Sequence, residues 1–266
     1  MNKKVILITG ASSGIGKACS DLLPSRGWTV IGASRRGAQG TDHQGIVMDV
    51  DDDQSVSAGV SQVLAEHGQI DAVLACAGWG LAGAAEQTPI AEAKAQFETN
   101  FWGAVRVTQA VLPVFRRGGG GRVMLMSSIG GVLGIPFQAF YSASKFALEG
   151  YAESLAYEVS PFKIHVTLIE PGNFKTDFTQ SRQMVPIPGD DPYRGVREKA
   201  IEVMERDETQ GADPLDVAKV VARALASTNP PRRASVGKLD ERVGILGKRL
   251  LPFRLFEKAA KGSLGV

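Results

Sequence analysis

Val5-Ile6-Leu7-Ile8-Thr9-Gly10-Ala11-Ser12-Ser13-Gly14-Ile15-Gly16 is the stretch that decides the fold. Its apolar run up to Thr9 suits a strand buried on both faces, as in the middle of a parallel sheet. Ala18, Leu22 and Leu23 then recur at helical spacing up to Gly27. Between strand and helix, Gly10, Gly14 and Gly16 are spaced GxxxGxG, not GxGxxG. Glycines there permit a tight turn and let a phosphate approach a helix N-terminus, where free N–H groups and the helix dipole favour an anion. A glycine turn of no special function is the plainer alternative. The position directly after the first strand favours the phosphate site.

The same alternation runs outward from this unit. Apolar runs at 29–33, 45–49, 70–75, 122–127 and 163–169 read as further strands, and 234–237 as a short seventh. Asp53 is placed to cap a helix running to about residue 66. Residues 89–116 read as mostly helical with a break or kink at Pro113, and 138–159 as one long helix. Buried strands alternating with helices imply a parallel sheet with right-handed crossovers. The expected fold is therefore α/β: a Rossmann-type, doubly wound three-layer sandwich with a seven-stranded parallel sheet, in one domain over 1–266. Residues 173–212 lack strand signals and carry Pro186, Pro188, Gly189 and Pro192. So long a segment inside a compact domain reads as a functional loop, here a substrate loop.

Composition narrows the function. A chain of 266 residues can bury a sizeable core without disulfides or metal, and none is called for. A net charge of +2 gives no reason to expect nucleic acid. Lys3-Lys4 before Val5–Ile8 imitates a secretion signal, but the apolar run is too short, and no run reaches transmembrane length. With only Cys19 and Cys76, the chain reads as cytoplasmic, both thiols reduced and packed in the core. Charge is uneven: residues 229–266 hold nine Lys/Arg against three acids, leaving −4 for the first 228.

The chemistry is expected at Tyr141-Ser142-Ala143-Ser144-Lys145. Tyr141 and Lys145 are four residues apart, one helical turn on one face. A free phenol, with a pKa of about 10, is a poor base at neutral pH, and an adjacent ammonium favours the phenolate. Alone, the pair is a common coincidence of helices. Ser128, thirteen residues earlier, stands at the end of the strand at 122–127, with Ser127 as the fallback.

Taken in order, Thr9-Gly-Ala-Ser-Ser-Gly-Ile-Gly16, Asp49, Ala77-Gly78, Asn100, Ser128, Tyr141, Lys145 and Pro171-Gly172 resemble the short-chain dehydrogenase/reductase family in its short single-domain form. The resemblance covers roughly residues 4–240. The stretches Ser128-Ile-Gly-Gly131 and Lys145-Phe-Ala-Leu-Glu-Gly150 look most like the hydroxysteroid and retinol dehydrogenase branch. It implies hydride transfer between a nicotinamide cofactor and a secondary alcohol or ketone. Tyr141 would move the proton, Ser128 would steady the developing oxyanion, and Lys145 would hold the ribose and lower the tyrosine pKa. Asn100 would link the lysine to solvent through water. The cofactor would lie on Gly10, Ser12, Ser13, Gly14, Ile15, Gly16, Ser34, Arg35, Arg36, Asp49, Val50, Ala77, Gly78, Tyr141, Lys145, Pro171, Gly172 and Thr176, with Asp49 at the adenine edge. One departure is Ala75-Cys76-Ala77-Gly78 where the family has Asn-Asn-Ala-Gly; local rigidity should suffer.

Ser34-Arg35-Arg36 ends the second strand with no acid nearby. Arginine suits a 2′-phosphate through charge and bidentate geometry, so the expected cofactor is NADP(H). Two solvated surface arginines are the plain alternative. Leu133, Phe137, Phe174, Phe178 and Tyr193 are the expected substrate contacts, favouring a bulky hydrophobic steroid-, retinoid- or aromatic-ketone-like molecule. The basic extension at about 238–266 should hold a helix over 252–261, with Pro252 first and Gly262 beyond the end. It would either dock on the protein or touch an anionic membrane surface peripherally. Phe146, Leu148, Tyr151 and Leu155 suggest a homodimer or homotetramer through the helix at 138–159. The competing class is a non-catalytic NADP(H)-sensing or scaffold protein, which loss of Tyr, Lys or Ser would signal; all three are present.

Overall fold

The computed structural model describes residues 3–37, 43–264 and 266, except the side chains of Arg249, Phe253, Ser263 and Leu264. Its strands are β1 (Lys4–Thr9), β2 (Trp28–Ser34), β3 (Gln44–Val47), β4 (Ala72–Ala75), β5 (Leu81–Ala82), β6 (Gly121–Met126), β7 (Ile164–Pro171), β8 (Gln183–Met184) and β9 (Arg233–Val236). Its α-helices are α1 (Gly14–Leu22), α2 (Asp53–His67), α3 (Ile90–Phe97), α4 (Ala104–Arg117), α5 (Ala139–Val159), α6 (Phe178–Ser181), α7 (Arg194–Thr209), α8 (Pro214–Ala226), α9 (Leu239–Leu250) and α10 (Phe253–Leu264). Seven strands form one parallel sheet in the order β3-β2-β1-β4-β6-β7-β9. The order reverses between β1 and β4, and ligand crevices of such sheets open at that point, beyond the strand C-termini.

Alternation along β1 divides the core. Val5 and Leu7 face a layer that includes Val60 of α2, Val111 and Phe115 of α4, and Leu148 and Leu155 of α5. Ile6 and Ile8 face the other layer, with Cys19 of α1 and Val217 and Val221 of α8. A strand sandwiched in this way has no solvent face, hence its unbroken apolar sequence.

Several details depart from expectation. Asp52, not Asp53, caps α2: its carboxylate accepts from the Ser55 amide at 2.6 Å. Asp53 begins the helix and pairs instead with Arg106. α4 runs through Pro113 without a break, and the irregularity lies earlier, in a π-helical turn at Glu98–Gly103. The segment 173–212 is not bare loop. It holds α6, β8 and α7, is closed at its base by a Phe174–Ala212 bridge, and is tied through β8 to β5. α10 continues through Gly262 to Leu264. Leu148 and Leu155 are buried, so of the residues expected on the outside of α5 only Phe146 is exposed, with Tyr151 half-buried.

Candidate active site

The sheet edge at the reversal opens into a cleft of about 960 Å³. Its floor begins with the glycine turn. Gly10 and Gly14 have φ of 67° and 52°, the left-handed region that glycine enters at no steric cost. A Cβ on Gly16 would run into the Gly10 carbonyl oxygen, so α1 can start against the turn only with glycine there. The α1 N-terminus has no side-chain cap, which leaves its first N–H groups free for an anion. Ser12, Ser13 and Ile15 line the same floor. Arg35 and Arg36 are exposed in the turn after β2 and border the cleft with Ser34, Asp49, Val50 and Asp51. These residues fit a dinucleotide: an N–H cradle without a side-chain cap at one point and two cations within the same cleft.

The turn after β4 is better held than its sequence suggests. The Thr9 hydroxyl oxygen accepts from the amides of Cys76 and Ala77 at 3.1 and 3.3 Å. Asn100 Oδ1 accepts from the Trp79 amide at 2.9 Å, and its Nδ2 donates to the Trp79 carbonyl at 3.0 Å and to Ser144 Oγ at 3.3 Å. The π-helical turn around Asn100 aims the side chain at these partners. Asn100 is fully buried and does not line the cleft; it clamps the wall behind Ala77 and Gly78, which do. The bracing missing from residues 75–76 thus comes from Thr9 and Asn100. Cys76 packs against the core but is only half-buried and also lines the cleft, and desolvation pushes its thiol up to about 11.

Ser128, Tyr141 and Lys145 meet at the next strand end. Ser128 lies just past β6, its Oγ accepting from the Gly130 amide at 3.0 Å and bonded to the Tyr141 phenol. Ser127 is turned the other way, toward Glu149. Tyr141 is 8% exposed, with the Phe178 ring edge-on at 5.7 Å. Burial pushes its phenol up to about 12; the Ser128 hydrogen bond and Arg182 oppose this, and Glu208 adds to it. The Lys145 Nζ donates to the Met126 carbonyl at 2.8 Å and lies 5.8 Å from the centre of the Tyr141 ring. Desolvation pushes the lysine down to about 8. The protein atoms alone therefore raise the tyrosine rather than lower it, because dehydration outweighs the neighbouring hydrogen bond.

Pro171, Gly172 and Thr176 close the cleft on the side of the glycine turn, Thr176 lying beside Gly14. Glu241 of α9 tucks its carboxylate against Gly172 and accepts from the Asn173 amide at 2.9 Å. Leu133 and Phe178 line the other end; Phe174 lines it too while packed in the core. Phe137 and Tyr193 are not among the lining residues. Phe137 holds a left-handed turn, φ 57°, with its carbonyl accepting from Gly83, and the Tyr193 hydroxyl donates to Glu86. One wall went unread in the sequence: Ala200, Val203, Met204, Asp207 and Glu208 of α7. Ala200, Met204 and Glu208 recur every fourth residue, a signal hidden among charged neighbours. A buried Arg182–Glu208 ion pair, with the Thr179 hydroxyl donating to Glu208, fixes this wall to α6.

Residues 4–185 match the family model described as short chain dehydrogenase. The chain is 39% identical over 263 residues to a 3-ketodihydrosphingosine reductase of Bacteroides thetaiotaomicron, covering 98% of each. It is 34% identical over 254 residues to retinol dehydrogenase 8 of Bos taurus, covering 86% of this chain and 80% of that one. A solved short-chain dehydrogenase from Streptomyces avermitilis superposes with a TM-score of 0.85 at 33% identity, 98% of each chain being covered. Glycine turn, doubly wound sheet and serine–tyrosine–lysine cleft converge with these likenesses: the chain belongs to the short-chain dehydrogenase family of nicotinamide-dependent oxidoreductases.

Proposed function

We propose that the chain is an NADP(H)-dependent oxidoreductase acting on a secondary alcohol or ketone that is bulky and hydrophobic. The carrying observation is the meeting of Ser128, Tyr141 and Lys145 in one cleft with the α1 N-terminus and Arg35. A bound nicotinamide supplies or accepts the hydride. Gly10, Gly14 and Gly16 leave room for the phosphates, and Arg35 and Arg36 favour a 2′-phosphate. Tyr141 gives a proton to the substrate oxygen in reduction and takes it in oxidation. The Ser128 hydroxyl donates to the same oxygen and stabilises charge as it develops. Lys145 holds the ribose hydroxyls. Asn100 acts as a positioning residue that keeps Trp79 and Ser144 in place. Leu133, Ile135, Phe178, Val203 and Met204 give the substrate end an apolar lining, which suits lipid-like substrates such as the ketosphingoid and the retinol in the names of two relatives. Residence in the cytoplasm as a homo-oligomer fits the reduced cysteines and the exposed aromatic surface of the π-helical turn.

The test is NADPH oxidation across ketones graded by size and polarity. Tyr141→Phe should lower kcat by about 1,000-fold while NADPH still binds, proton transfer and oxygen positioning being lost together. Near-normal turnover by that variant would refute the assignment. Arg35→Asp should shift the NADP-over-NAD preference by about 10- to 100-fold, the value of a charge-assisted hydrogen bond. Equal use of both cofactors by the wild type would overturn the NADP reading.

A further inference from the structure

The last two helices carry apolar side chains on their outer side. On α9, Leu239, Val243, Leu246 and Leu250 follow at spacings of four, three and four residues, which is one helical face. They are 75%, 55%, 54% and 71% exposed. Leu251 and Leu255, 46% and 59% exposed, carry the apolar surface into α10. The inner side of α9 is the one engaged. Ile245 is buried, Gly244 rests beside Leu133, Lys248 donates to the Val132 carbonyl, and Glu241 holds the Asn173 amide. Because Leu133 lines the cleft, α9 is the outer shell of the substrate end.

Charge selects the occupant. Residues 239–266 hold six Lys/Arg against three acids. Two of those acids, Asp240 and Glu241, sit in the first turn of α9, and Glu241 is turned inward. α10 presents exposed Arg254, Lys258 and Lys261, with Glu257 paired to Lys261 at 3.0 Å. A leucine stripe beside cations is the composition of a helix that lies in a membrane interface, apolar face down, cations among anionic headgroups. A second copy of this face would bring like-charged helices together.

We propose that the outer face of α9 and α10 docks on an anionic lipid bilayer, with Leu239, Val243, Leu246, Leu250 and Leu255 at the acyl boundary. The substrate end of the cleft then lies against the lipid. That benefit rests on the reading of the substrate as an apolar ketone, but the docking does not, so it is measured without substrate or cofactor. Full-length protein is co-sedimented with vesicles of phosphatidylglycerol and phosphatidylcholine, and with phosphatidylcholine alone. The wild type should partition about tenfold more strongly onto the anionic vesicles, and raised salt should weaken it. Leu246→Ser with Leu250→Ser should reduce partitioning about tenfold, at exposed positions that leave the fold and the turnover of a small water-soluble ketone unchanged. No binding by the wild type, equal binding to both vesicle types, or full binding by the double variant would each overturn the proposal. A wild type that ignores vesicles but whose sedimentation coefficient falls on the double substitution would give the face to a second copy, which also overturns it.

Discussion

Lys145 and Tyr141 share one turn of helix, yet burial drives their proton affinities apart, in opposite senses. Lysine falls to about 8 because its charged form is dehydrated; tyrosine rises to about 12 for the same reason. At neutral pH the pair is ammonium and phenol, the state that can hold a ribose and give a proton. As pH rises through about 8 the ammonium is lost first. We expect kcat/KM for reduction to fall through about pH 8, since this quantity reports groups of the free enzyme. Stability should move the other way. A lysine whose folded pKa lies below its unfolded value costs stability while charged, and that cost disappears between about 8 and 10.5. Relative to Lys145→Met, the wild type should gain up to about 3 kcal/mol across that window, one pKa unit being about 1.4 kcal/mol. Urea midpoints at the two ends of the window check it; a flat difference would show that burial does not govern this lysine.

Between elements, the junction of α5, β7 and β9 is an ion cluster with too few cations. Arg233 of β9 pairs with Glu149 and Glu153 of α5 and with Glu170 of β7, while Ser235 donates to Glu170. Lys145 and Ser127 face Glu149 from its other side. Burial and Glu170 push Glu149 up to about 7, with Ser127 and Arg233 pulling against them. A carboxyl raised in the folded state gives up stability as pH climbs from about 4.5 to about 7. The wild type should therefore lose up to about 3 kcal/mol relative to Glu149→Gln over that range and stay level above it. A difference that grows in favour of the wild type would mean that the Arg233 pair outweighs dehydration. The variant is tolerable because Arg233 keeps Glu170 and Glu153 as partners.

For the molecule as a whole, the surface around the π-helical turn and α5 bears on assembly. Trp102 is 49% exposed and stacks edge-on with Phe101 at 4.8 Å, and Phe101 meets Tyr151 of α5 at 6.1 Å. If copies assemble through this face, Trp102→Asp should convert the oligomer to monomer in sedimentation velocity, since an aromatic anchor carries much of an interface. An unchanged sedimentation coefficient would place the interface elsewhere. The sequence by itself determined the seven-stranded sheet and the glycine turn at the head of α1. Val5–Ile8, the spacing of Gly10, Gly14 and Gly16, and the Tyr141–Lys145 interval are local patterns imposed by burial, backbone sterics and helical pitch. It could not determine which residues meet from distant positions. Only packing placed α7 as a wall of the cleft, moved Phe137 and Tyr193 out of it, and put Cys76 in it. Only packing supplied Thr9 and Asn100 as braces for the turn after β4, and Glu241 beneath Gly172. Those contacts join residues more than twenty positions apart, whose partners no short-range periodicity records. The proton affinities of Tyr141 and Lys145 follow the same rule, because dehydration by the folded core, not the four-residue spacing, sets their direction.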